Sequence, residues 1–484
     1  MKLRRLLVLV IALALIAAAC SRDDNTSTDG SGTTQPASGT TTAPNAEAGL
    51  DQGAFGDLGT VCSEGDKPAE PVTGQTGING TTIRAATFSD RGFSGRPGLT
   101  REFHDIAEAV TKWCNEHGGV RGYKVEADLR DSALTNYAPL VLKSCDEDFF
   151  MVAGGAVFDD SGIADQLECG LPNIAGYVVT PQAAGADLTV QPLPNPAAKL
   201  PIGDFKWLED QYPDTTQNVG IITGDFATTV TVADRYQEGV EQLGWKIVDY
   251  QKYSPLGESN WAPFVQRLID KKVKGIIWVG EPENLAKLME AMGNFDYKPD
   301  WVRTDANHYD QNLLTVGGDA INKVYVRNAF WPFLPEEKAK ENPATQQYLD
   351  LLDKYGPADG RRALLGLQGL SGWMLYFKSL GECIDAGTLT RDCVYDKARS
   401  EKDWTGGGLH VPTSQGVAPD CFSLAEGTPT GFEFPKVTGF GTSDVADFFT
   451  CDPEGFVTTL KGDYGAGVKC PSGKPDPLPS ECNP

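Results

Sequence analysis

Apolar residues in this chain fall alternately into short continuous runs and into stretches spaced every three or four positions, the pattern of strands followed by helices. Thr82–Phe88 reads as a buried strand, after which Leu99, Phe103, Ile106, Val110 and Trp113 recur at helical spacing until Gly118 and Gly119 stop the helix. Strand Tyr123–Leu129, helix Asn136–Cys145, strand Phe149–Ala153, a short helix Ile163–Leu167 and strand Asn173–Tyr177 continue the series. Pro181, Pro192, Pro194, Pro196 and Pro201 then break it, as a crossing to another lobe would. A second series follows: helix Ile202–Gln211, strand Val219–Ile222, helix Thr229–Leu243, strand Lys246–Tyr253, helix Trp261–Lys271, strand Gly275–Val279 and helix Asn284–Gly293. Trp301–Thr304 reads as a returning strand, Lys323–Val326 as another, and Ala363–Leu380 as a long helix. Such alternation predicts two parallel sheets covered by helices. The expected boundaries are 78–195 with 303–400 for lobe 1, 196–302 with part of 401–450 for lobe 2, and 451–484 for a tail. From about 405 onward Gly, Pro and Cys accumulate, so the extension reads as irregular and held by disulfides.

The first twenty residues change this picture only by being set aside. Lys2, Arg4 and Arg5 precede the apolar run Leu6–Ile16, which is too short for a membrane span, and Ala17-Ala18-Ala19 leads into Cys20. This ending resembles a bacterial lipobox, which makes Cys20 the expected lipidation site and 1–20 a lipoprotein signal peptide. An ordinary cleaved signal with a cysteine beside it is the other reading. Residues 21–50 are Ser, Thr, Gly, Asp, Asn and Pro with little to bury, a disordered tether reaching on the order of 30 Å. The 11 cysteines less Cys20 leave an even set, with no CxxC pair, which suits disulfides in an oxidising compartment better than a metal site. A formal net charge of −24 argues against nucleic acid and against anionic membrane surfaces as partners.

The stretch Asn115-Glu116-His117-Gly118-Gly119-Val120-Arg121-Gly122-Tyr123-Lys124-Val125, closing at Asp131, resembles the extracellular binding proteins of the leucine/isoleucine/valine type. In that family a first helix ends in Asn-x-x-Gly-Gly-Ile/Val-x-Gly and a strand ending in Asp follows. The resemblance covers about residues 80–400. It implies an α/β protein of the periplasmic binding protein type I fold: two Rossmann-like lobes, a three-strand hinge, and a ligand cleft that closes on its solute, with an irregular cysteine-rich extension outside it. It also implies an ABC permease in the membrane as partner, an extracytoplasmic monomer, and a disulfide between Cys145 and Cys169. Short separation suggests Cys383 with Cys393 as a second pair.

In open α/β sheets, ligands sit outside the carboxyl ends of the strands. The loops there offer Ser89, Arg91 and Phe93; Ala156, Phe158 and Asp159; Tyr177, Val179 and Thr180; Asp225 and Phe226; Glu281; and Asp305 with Asn307. Asp159-Asp160-Ser161 and Asp225 also read as helix caps, Phe93 and Phe158 as core, and Arg91 with Arg96 as either a solvated pair or a carboxylate clamp. Amino-acid binders of the family present a Ser-rich loop, an Ala-x-Thr segment and an acidic residue to the head group. Here Gly155-Ala156-Val157-Phe158-Asp159 lacks the serines, Tyr177-Val178-Val179 stands in place of Ala-x-Thr, and Asp305 takes the acidic position. An aromatic-lined cleft suited to a planar or apolar ligand is the alternative. Four histidines and no HExxH, GxSxG, Walker-A or GxGxxG motif leave little for catalysis, so no enzyme activity, metal or cofactor is expected. A transport receptor leads; a sensor without a permease and an exported enzyme are the other readings.

Overall fold

The computed structural model describes residues 49–254 and 256–470. The signal at 1–20, Cys20 and most of the tether lie outside them. Among the described residues no helix is long and apolar enough to cross a membrane.

The first sheet contains β1 (Ile78–Asn79), β2 (Thr82–Ser89), β3 (Lys124–Asp131), β4 (Phe150–Val152), β5 (Asn173–Ile174) and β6 (Thr189–Val190). From β2 through β6 the spatial order is β3-β2-β4-β5-β6, all parallel, with β1 antiparallel on the start of β2. After β7 (Lys199–Pro201) the second sheet runs through β8 (Val219–Gly224), β9 (Ile247–Tyr253), β10 (Gly275–Val279), β11 (Trp301–Thr304) and β12 (Val324–Asn328). Its order is β9-β8-β10-β11-β12, again parallel, continued antiparallel by β13 (Cys421–Thr428). Both sheets thus place their second strand outside the first and reverse direction there. That reversal opens a crevice between the first and third strands, where ligands of such sheets bind. Strands β8 and β10 are buried at every residue, which is why they read as continuous apolar runs rather than alternating ones.

Helices α1 (Glu102–Glu116), α2 (Tyr137–Glu147), α3 (Ile163–Glu168) and α4 (Pro181–Ala184) belong to the first lobe, and α5 (Gly203–Gln211), α6 (Ala227–Gln242), α7 (Ala262–Asp270), α8 (Pro282–Asn294) and α9 (Gln311–Gly317) to the second. The chain then returns through α10 (Glu336–Ala339) to α11 (Pro343–Tyr355), α12 (Leu364–Asp385) and α13 (Arg391–Ser400), with α11 and α12 against α1 and α13 against α12. Helix α12 is buried on almost all sides, hence its near-continuous apolar sequence. At Gly372 a β-carbon would stand 3.0 Å from that of Ala153, so glycine lets this helix lie close on the first sheet. At the end of α1, Gly118 and Gly119 have φ of 95° and 75°, the left-handed turn that the sequence required.

The return to lobe 1 comes later than the expected residue 303. Trp301–Thr304 and Val324–Asn328 pair within the second sheet, because both continue its series of buried parallel strands, and the chain leaves that sheet only after Asn328. The three connections meet and hydrogen-bond. Thr413 Oγ1 donates to Pro192 O at 2.6 Å, Val411 N to Ala329 O at 3.0 Å, and Trp331 N to Leu409 O at 2.9 Å. From α12, the Ser371 hydroxyl receives Trp404 Nε1 at 2.9 Å and meets His410 Nε2 at 2.8 Å, fixing the third connection.

The extension contains β14 (Gly431–Glu433), β15 (Ser443–Val445), β16 (Phe449–Cys451) and β17 (Val457–Thr459), the last paired with β7. Phe456 and Leu460 enter the core of the second lobe. The chain then crosses back: Asp187 N donates to Val468 O at 3.0 Å, and Lys469 pairs with Asp187 at 2.8 Å. A fourth segment therefore joins the lobes, which no periodicity announced.

Disulfides join Cys62–Cys114, Cys145–Cys169, Cys383–Cys393 and Cys421–Cys451, and Cys470 is bonded as well. Cys62 staples the segment before β1 onto α1, where Phe55 is fully buried. Cys421–Cys451 closes a separation of 30 residues, so the double serine variant is expected to lose roughly 3–4 kcal/mol of stability, read by urea unfolding. A loss below about 1 kcal/mol would refute that assignment of stability to chain closure.

Candidate functional site

The switch points of the two sheets face each other. The loops after β2 and β4 come from one lobe, those after β8 and β10 from the other, and between them lies a cavity of about 370 Å³. Seven of the loop residues read from the sequence line it: Phe93, Tyr177, Val179, Phe226, Glu281, Asp305 and Asn307. Tyr177 is held by stacking on Phe103 at 5.3 Å, and Asn307 Nδ2 donates to Gly280 O at 2.9 Å, tying two loops of the second lobe together.

Seven others do not line the cavity, and each has a reason. Ser89 is buried and its hydroxyl donates to Thr100 O at 3.0 Å, closing the first loop. Arg91 is exposed and faces a different groove. Ala156 packs into a small core with Phe88 and Tyr137. Phe158 meets Phe226 edge-on at 5.7 Å, a contact between the lobes beside the cavity. Asp159 is no helix cap; it accepts from Val179 N at 2.7 Å and Thr180 N at 3.1 Å, and burial pushes its carboxyl up to about 7. Thr180 caps α4 through Ala183 N at 3.2 Å. Asp225 is 60% exposed and pairs with Lys252, so it is a surface residue. These side chains hold the loops in place. The buried carboxylate of Asp90 does the same, accepting from Ser132 Oγ, Leu134 N and Val157 N.

Two charged groups span the mouth. From the first lobe, Arg96 pairs with Glu281 at 2.5 Å and Glu283 at 3.0 Å, so the clamp reading applies to Arg96 but joins it to the opposite lobe. Arg361, just before α12, pairs with Asp310 of the second lobe and with Glu102 at 3.1 Å. At the other end Arg303 is enclosed by Asp204 at 2.6 Å, Asp305 at 2.9 Å, and the faces of Phe205 and Tyr236 at 4.6 and 4.4 Å. Arg235 and Arg327 line the cavity nearby. Sequence reasoning missed Arg303 and Arg327, although an arginine near the carboxyl end of an otherwise buried strand is a legible signal. For Arg235, Arg361 and Gln368, on helix α6 or on the returning chain, no local pattern exists.

Burial raises Glu102 to about 7 in spite of Arg361. Its protonated form contributes stability that is complete below the ordinary 4.5 and is lost as pH rises through 7. Glu102→Gln is therefore expected to flatten the change in melting temperature between about pH 5 and about pH 8, and parallel profiles for parent and variant would contradict this. His104, His308 and His410 are buried, which lowers each to about 4, and each bonds to a backbone carbonyl or a neighbouring hydroxyl. Among the described residues no group of His, Cys, Asp and Glu is arranged to hold a metal.

A family model for periplasmic binding proteins matches residues 98–426. No curated protein matches the sequence. Among solved structures, a fatty acid ABC transporter substrate-binding protein from Thermomonospora curvata superposes with a TM-score of 0.63 at 17% identity, over 75% of this chain and 93% of that one. A branched-chain amino acid ABC transporter protein from Thermus thermophilus with bound valine gives 0.60 at 14% identity, over 75% and 96%. An ABC transporter solute-binding protein from Rhodopseudomonas palustris in complex with 3,4-dihydroxybenzoic acid gives 0.56 at 17% identity, over 72% and 93%. At these identities the likeness is one of fold. The family match runs through both sheets, from just before α1 into β13, and this chain belongs to the periplasmic binding protein family, with the type I arrangement of lobes.

Proposed function

We propose that this protein is the receptor of an ABC transporter, anchored outside the cell membrane by a lipid on Cys20, which captures a small organic solute between its lobes and presents it to a permease. The observation that carries the reading is the cavity of about 370 Å³ walled by both lobes at their switch points. A solute there touches both lobes, so it binds the closed form better than the open one and shifts the hinge toward closure. Its walls are largely apolar, with Phe93, Val179, Leu193, Phe226, Val232 and Leu365 among them. The solutes named for the three structural neighbours, a fatty acid, valine and a dihydroxybenzoic acid, share a carboxyl group on an apolar body. A thermal-shift panel of valine, leucine, octanoate, 3,4-dihydroxybenzoate and glucose tests the reading. At least one organic acid is expected to raise the melting temperature, since a solute that binds only the native state stabilises it. A flat response to every member would overturn it.

A further inference from the structure

We propose that the inner end of the cleft is an anion subsite in which Arg235 and Arg327 hold the carboxylate of an organic acid, its apolar body lying toward Phe93 and Phe226. This deepens the receptor reading and rests on it.

Charge is unevenly matched along the cleft. Each of the four carboxylates lining the cavity already has a cation: Glu102 and Asp310 have Arg361, Glu281 has Arg96, and Asp305 has Arg303. Asp305 also accepts the Tyr236 hydroxyl at 2.7 Å. The arginines are not matched in the same way. Arg235 is 4% exposed, yet its terminal nitrogens end on neutral acceptors: Asn195 Oδ1, Pro196 O at 3.0 Å and Lys199 O at 2.9 Å. Its Nε has no partner. Arg327 has its nearest carboxylate, Asp204, at 3.8 Å, and that group is bound by Arg303 at 2.6 Å. The Arg327 Nε makes no hydrogen bond either, facing the Asp204 Oδ1 only at 3.8 Å, and the buried hydroxyl of Thr228 in the same wall is unpartnered as well.

Three guanidiniums therefore face two carboxylates at this end, Asp204 and Asp305. At the mouth the balance is reversed, with Arg96 and Arg361 facing Glu102, Glu281, Glu283 and Asp310. A buried guanidinium without a counter-charge is costly, and burial lowers the proton affinity of both Arg235 and Arg327. A carboxylate lying between them would supply the missing charge and accept from Nε, and the planar fork of arginine suits that group. At this end an ammonium group would instead meet an excess of guanidinium charge.

Isothermal titration of the protein with matched pairs tests the proposal: octanoate against octanamide, 3,4-dihydroxybenzoate against its amide, and leucine against leucinamide. The acid of the best-bound pair is expected to bind about 30-fold more tightly than its amide, as loss of a charge-assisted hydrogen bond predicts. In Arg235→Gln and Arg327→Gln that preference should collapse toward unity, with Arg235→Lys intermediate. Circular dichroism and the melting temperature establish that each variant is folded. Amides binding as tightly as acids, or an acid preference intact in both glutamine variants, would overturn the anion subsite and leave the receptor reading standing. Binding by no member of any pair would overturn both.

Discussion

Arg303→Met is expected to lower the unfolding free energy by about 3–5 kcal/mol, the usual cost of leaving a buried charge without its partner. Arg303 and Asp204 are 1% and 0% exposed, and the two sit 2.6 Å apart beneath the floor of the cleft. Removing the guanidinium strands Asp204 with Arg327 at 3.8 Å as its remaining cation, and frees Asp305 from its contact at 2.9 Å. The stacking of Arg303 on Phe205 and Tyr236 is lost with it. Urea unfolding followed by tryptophan fluorescence measures the loss. The double variant Arg303→Met with Asp204→Leu should recover part of it, because the stranded Asp204 charge is removed, while Arg327 loses its nearest carboxylate. A single variant within about 1 kcal/mol of the parent would mean that water reaches this pair.

Arg361→Ala is expected to weaken solute binding by about 30-fold or more, while changing the stability of the solute-free protein far less. Arg361 leaves the first lobe to meet Asp310, the residue that caps α9 in the second, and backbone pairing of Asp310 with Ala363 reinforces the contact. The Asp310 side chain is 5% exposed, so truncation leaves a buried carboxylate without its cation in the closed form. In an open form water would reach it, and the penalty would vanish. The closed population falls, and apparent affinity falls with it. Arg96→Ala should act in the same direction but more weakly and with greater salt dependence, since Arg96 and Glu281 are 21% and 31% exposed. Unchanged affinity in Arg361→Ala would show that this ion pair does not hold the lobes together.

The strand and helix alternation was legible because buried parallel strands such as Gly275–Val279 are continuous apolar runs and α1 carries its core face at regular spacing. The loops that meet at the cleft followed from the same order, since a parallel sheet fixes which strand ends face the ligand. What could not be read was the division of labour within those loops. Asp159 and Thr180 look like ligand groups in sequence, but their oxygens are used up on backbone N–H groups nearby. The ion pairs at the mouth join residues 187 positions apart in Arg96–Glu283 and 51 apart in Arg361–Asp310, beyond the reach of any periodicity. The boundary at 303 failed because a strand that stays in its sheet and one that leaves it have the same local pattern. The fourth connection through Val468 and Lys469 is a polar, glycine-rich segment without a strand or helix to announce it.

The central claim, that a solute is trapped by two lobes shutting upon it, is tested most directly by small-angle X-ray scattering of the protein with and without the tightest-binding acid of the panel at saturation. The account predicts a smaller radius of gyration in the bound state, with a scattering profile matching the closed arrangement in which Arg361 reaches Asp310. An identical radius in both states, with saturation verified by calorimetry on the same samples, would contradict it.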